Sequence, residues 1–143
     1  MISREDAEAA VNDLSYRIKP MDIVLIYTGS DRLWGTRKYF SHYIGVSREA
    51  LAFILELGVK VVGIDAFSFD RSMYRMVNDF LRTKNSDCLW PAHFYGREKE
   101  YCHIERLTNL DKVPSPYGFR VSCLPVKIKD VGAAAVRAVA IID

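Results

Sequence analysis

The stretch Ser47-Arg-Glu-Ala-Leu-Ala-Phe-Ile-Leu-Glu-Leu-Gly58-Val-Lys-Val-Val-Gly-Ile64 decides the fold class. Ser47 is a residue type that caps a helix N-terminus, and Gly58 is the type that stops a helix in a left-handed turn. The residues between them predict a helix over 48–57. Beyond Gly58, the apolar run Val59–Ile64 lacks polar alternation, which predicts a strand covered on both faces. A helix followed by a strand, each cleanly punctuated, is the α/β rhythm.

The same rhythm extends outward. Ser3-Arg-Glu-Asp6 has the capping-box pattern, and Ala7, Ala10, Val11 and Leu14 follow at helical spacing. They predict an amphipathic helix ending near Ser15. Lys19-Pro20 breaks the chain, and Asp22–Thr28 reads as a second apolar strand closed by Gly29. From Gly29 to Val46 the residues read as a long loop, a kind more often functional than idle. Met73, Met76, Val77 and Phe80 predict a helix over 73–81. Tyr101–Leu107, Phe119–Ile128 and Val136–Ile142 read as extended. The two apolar strands are expected together in a mixed sheet, with helix 4–14 or 48–57 packed on it. With no internal repeat, low-complexity tract or linker, a single domain over 1–143 is expected.

The chain has 143 residues, half of them apolar and 27% charged, the composition of a soluble globular protein. Twenty basic and 18 acidic residues give a net charge of +2 without a basic block, so nucleic acid is not an expected partner. The longest apolar runs are too short to cross a bilayer, and the N-terminus lacks the apolar core of a signal peptide. Cys88, Cys102 and Cys123 are odd in number and show no CxxC spacing. They read as free thiols in a reducing cytoplasm, expected as small buried apolar residues.

The stretch densest in chemistry is Trp90–Asp111, WPAHFYGREKEYCHIERLTNLD. His93 stands twelve residues before Glu105, and an imidazole with a carboxylate suits Zn²⁺ or Mn²⁺. His93 is expected on or beside a loop. Glu105 lies in an apolar frame, where a carboxylate must be paired, protonated or metal-bound, and a salt bridge to an Arg or Lys is the plain alternative. His103 and Glu105 are two apart, so in a strand they share a face, and this pair competes with His93–Glu105. Asp65 and Asp70 follow a strand, where α/β folds place binding groups, but turn capping is the slightly simpler account of them. His42 reads as a surface residue. No GxGxxG or P-loop spacing supports a nucleotide cradle.

Several segments together resemble one family, the cyclase-type metal-dependent hydrolases that include bacterial kynurenine formamidase and isatin hydrolase. Ile18-Lys-Pro-Met-Asp-Ile-Val-Leu-Ile-Tyr-Thr-Gly29 is similar to the family's I-x-P-G-D-x-V-L-x-x-T-G strand. The resemblance continues through Tyr39, Gly45–Ala50, Gly58–Asp65, His93, His103–Asp111, Leu124–Ile128 and Arg137–Ala140. It implies a swivelling β/β/α fold and hydrolysis of an amide or lactam, often on an aromatic substrate. It also implies a one- or two-metal centre holding Zn²⁺ or Mn²⁺, with His93 and Glu105 matching the family's downstream ligands. There the metal would polarise the scissile carbonyl and activate water. Tryptophan catabolism is the family-level setting.

The departures from the family pattern are equally informative. The motif H-x-G-T-H-x-D-x-P-x-H, which supplies the family's other ligands and its acid–base histidine, is not found. Gly132–Val136 replaces the usual approach to Arg137, and Met21 stands where the family favours Gly. The resemblance therefore implies the C-terminal portion of the family fold, carrying half of a metal site. The expected activity is an arylformamidase-like hydrolase, completed by an upstream segment or a partner chain. The alternative is a non-catalytic binding or assembly subunit. Sheet edges left uncovered lead to the expectation of a homo-oligomer or a partner chain.

Overall fold

The computed structural model describes residues 1–142. By contact density the chain divides into two compact units, Met1–Leu110 and Asp111–Asp143.

The first unit is built on helix α1 (Arg4–Asn12), strand β1 (Ile23–Ile26), helices α2 (Arg37–Ser41) and α3 (Arg48–Glu56), strand β2 (Val61–Ile64), helices α4 (Met73–Thr83) and α5 (Pro91–Tyr95), and strand β3 (Cys102–Ile104). The capping box at the start of α1 is present in full, with Ser3 Oγ accepting from Asp6 N and Asp6 accepting from Ser3 N. Ser47 caps α3 by accepting from Ala50 N at 3.0 Å. Gly58 ends that helix at φ +90°, a conformation that disfavours any side chain.

The three strands form one sheet in the order β1-β2-β3, and both pairings are parallel. A mixed sheet was expected; the strands instead all run the same way, because α3 and the α4–α5 segment each return the chain to the same end of the sheet, as βαβ crossovers do. The central strand β2 is the buried one, with Val62 and Ile64 fully covered. Strand β1 is only half-buried along its length, which corrects the expectation of cover on both faces: it is an edge strand. Helix α3 supplies Ala50, Leu51, Ile54 and Leu55 to a core completed by Val46, Val59, Val62, Ile64 and Phe69. Helix α1 packs on α3 and contributes Ala7.

The segment Gly29–Val46 is not the long loop predicted. It holds a 3-10 turn over Ser30–Leu33 and the five-residue helix α2, which buries Tyr39. Gly45 is pressed against the chain at Asp70–Arg71: a Cβ there would collide with the Asp70 carbonyl carbon. Val46 N donates to Phe69 O at 2.8 Å, and Ile2 N donates to Gly45 O at 2.8 Å. The cysteines are also not buried as expected; Cys102 is exposed and the other two are partly so. No helix among the described residues is long and apolar enough to cross a membrane.

In the second unit, β4 (Arg120–Ser122) pairs antiparallel with β5 (Val139–Ile141), and a Pro125–Val136 bridge extends the ribbon. The extended segments predicted over 119–128 and 136–142 are thus present, in shortened form. Leu124, Val126 and Ile128 remain exposed.

Candidate metal centre

The candidate site lies where the connection after β2, helix α5 and the end of β3 meet. Trp90 takes a left-handed conformation, and Pro91 then opens α5 at its first position, where a missing N–H costs nothing. His93 therefore sits on a short helix beside the turn that follows it, within the expectation of a place on or beside a loop. The first amides of α5 are satisfied by Asp70, which accepts from Ala92 N at 2.8 Å and His93 N at 3.1 Å. The same carboxylate is 2.6 Å from His93 Nδ1. An ionised carboxylate only accepts, so Nδ1 carries the hydrogen and Nε2 is the nitrogen turned to the site. Asp70 is completely buried and is not a turn cap.

Glu105 follows β3. Its Oε1 accepts from Phe69 N at 2.7 Å and from Ser68 Oγ at 3.1 Å, which holds that oxygen in place. His93 Nε2 stands 3.6 Å from Oε1, and His103 Nε2 stands 3.7 Å from it. Among the described residues the ionisable groups facing Glu105 are thus two imidazoles, not the Arg or Lys of the plain alternative. Arg106, next in sequence, turns away to donate to Phe67 O at 3.1 Å. His103 is held by stacking on Phe69, with ring centroids 5.0 Å apart and planes at 30°. The two imidazoles meet edge-to-face at 4.5 Å.

The two histidines are pushed in opposite directions. The hydrogen bond to Asp70 raises the pKa of His93, outweighing its burial. Burial lowers that of His103, and the neighbouring His93 charge lowers it further.

Asp65 is buried as well and binds Thr28 through its backbone N–H at 2.9 Å and its hydroxyl at 2.7 Å. It ties β1 to β2 and is not a local turn cap. His42 is exposed beside α2, with Ser41 Oγ 2.7 Å from its Nδ1, and stands apart from this cluster.

The donor set fits a divalent ion. Donor atoms of His93, His103 and Glu105 lie within 4.8 Å of one another. Tetrahedral coordination at 2.0–2.1 Å separates donors by about 3.3 Å, close to the two imidazole–carboxylate distances of 3.6 and 3.7 Å. The sequence named His93, Glu105 and the His103–Glu105 pairing but missed the role of Asp70. The only signal for it was its place just after a strand.

Residues 1–71 match the family model described as "Putative cyclase". The structure agrees in fold with an isatin hydrolase bound to the product analogue thioisatinate, with a TM-score of 0.78 at 19% identity. Residues 1–71 belong to the cyclase family. The fold class expected from the resemblance is thereby shown. The cyclase segment runs from α1 to the residues around Asp70, so it contains the carboxylate that steers His93, whereas His93, His103 and Glu105 lie beyond it. The isatin hydrolase alignment covers 99% of this chain and 53% of that one, so the cyclase-like chain spans about half the length of its structural neighbour. No curated protein matches the sequence.

Proposed function

We propose that this chain forms part of a metal-dependent hydrolase that opens an amide or lactam C–N bond, in the manner of an arylformamidase acting on an aromatic substrate in the cytoplasm. The observation that carries the reading is the facing of His93 Nε2 and Glu105, each oriented by buried or backbone partners, inside a cyclase-family fold. An ion held there, Zn²⁺ or Mn²⁺, would supply a Lewis acid for a carbonyl oxygen and activate water. Asp70 keeps the proton of His93 on Nδ1 and so presents Nε2 as a donor. Ser68 and the Phe69 amide hold Glu105 in place. The group that would move a proton to the leaving nitrogen would come from a separate segment or a different partner chain carrying the H-x-G-T-H-x-D pattern, which a second copy of this chain lacks.

The test is metal content by mass spectrometry together with hydrolysis of N-formylkynurenine and of isatin, for wild type and His93→Ala. The chain alone is expected to hydrolyse either substrate slightly or not at all, and addition of a segment bearing the histidine motif is expected to raise the rate. His93→Ala should abolish that rise. Strong hydrolysis by the isolated chain that His93→Ala leaves unchanged would overturn the assignment.

A further inference from the structure

We infer that His103 is a third protein ligand, so that His93, His103 and Glu105 form a complete His₂Glu cation site within this chain. The inference rests on the reading of His93 and Glu105 as a metal couple and goes beyond it: two ligands imply a half-site, whereas three with one open position are what a catalytic zinc takes from a protein.

Three independent features of the geometry carry it. The first is equivalence: His103 Nε2 is 3.7 Å from Glu105 Oε1, and His93 Nε2 is 3.6 Å from the same atom. A cation drawn to one imidazole and the carboxylate meets the other imidazole as well. The second is direction. His103 lies in β3 and Glu105 directly follows it, two residues on, so the extended chain sends both to one face, and α5 brings His93 to that face from outside the sheet. The third is rigidity. His103 stacks on Phe69, and Tyr101 lies 5.6 Å away by ring centroids, so the ring is fixed before an ion arrives. Phe69 links both halves of the arrangement: its ring supports His103 and its backbone N–H holds Glu105.

The arrangement also explains why so much aromatic and imidazole surface gathers around one carboxylate that, among the described residues, no Lys or Arg pairs with. A divalent cation between the three would balance that carboxylate and leave one coordination position for a small molecule.

The decisive experiment is titration of the whole metal-free chain with Zn²⁺ by calorimetry and with Co²⁺ by visible absorption. The variants are His93→Ala, His103→Phe, His103→Gln and Glu105→Gln, with His42→Ala as a surface control. Wild type and His42→Ala are expected to bind one ion, with the intense visible bands of four-coordinate Co²⁺. Loss of an outer-shell partner costs roughly 10–100-fold in metal affinity, so loss of a direct ligand should cost about 100-fold or more. His103→Phe and His103→Gln should both show that loss and weaker Co²⁺ bands, with circular dichroism unchanged. Phe keeps the stack on Phe69 and Gln keeps polarity, so a folding defect common to both is not expected.

If His93→Ala and Glu105→Gln lose the ion while both His103 variants keep wild-type affinity and spectrum, His103 is not a ligand and only the two-ligand reading stands. If wild type binds no ion but gains binding on addition of the histidine-motif segment, the self-contained site is wrong while the hydrolase reading survives. If no variant differs from wild type, both are wrong.

Discussion

Helices α3 and α4 carry the same signature and meet opposite fates. Each repeats apolar residues at helical spacing, and α4 is the longer by two residues. Helix α3 buries Ala50, Leu51, Ile54 and Leu55 against the sheet and α1. Helix α4 buries only Met76 and leaves Met73, Tyr74, Val77 and Leu81 exposed. What secures α4 is largely polar: Arg71 pairs with Asp79 at 2.6 Å, and Met76 sulfur accepts from Trp90 N at 3.2 Å. Its end is a left-handed Lys84 whose N–H bonds back to Phe80 O at 2.7 Å. Amphipathic spacing thus reports that a face needs cover. Whether cover exists depends on the rest of the chain.

The contrast can be broken by substitution. The largest effect belongs to Leu51→Ala, which should cost about 2–5 kcal/mol in urea unfolding because the residue is fully covered and its cavity cannot fully collapse. A cost under about 1 kcal/mol would mean that the α3 core is looser than the packing indicates. Smaller is Ser47→Ala, which removes the cap from α3 and should cost about 1 kcal/mol. Ser47→Asp should recover most of it, since Asp caps as well as Ser. The smallest is Leu81→Ala on α4, expected within about 0.5 kcal/mol of wild type because its side chain is 57% exposed. A melting temperature lowered as much by Leu81→Ala as by Leu51→Ala would show that the α4 face is covered in solution, and the comparison would fail.

The α/β pattern was legible because its punctuation is local. Ser3, Ser47 and Gly58 act on neighbours within a few residues, and all three do what their types predict. Strand direction was not legible, because nothing in Ile23–Ile26 or Cys102–Ile104 specifies a partner's orientation. Helix α2 escaped notice because five residues with no side-chain cap give too little periodicity to read. Helix α5 was equally short, although Pro91 at its first position was a usable sign. At the site, His103 and Glu105 were visible as a pair because the strand period relates them. The link from Asp70 to His93 spans 23 residues and depends on how two loops approach, which no local pattern records.

Gly45 gives that approach a hereditary consequence. Its hydrogen atom stands where any other residue would drive a carbon into the backbone of Asp70. A single-base change at this codon would displace Asp70, and with it the orientation of His93, without altering any donor atom. On the proposed metal reading, alleles of this kind would retain His93, His103 and Glu105 and still bind metal poorly. For a variant that loses its ion with His93, His103 and Glu105 intact, codon 45 is the first place to look.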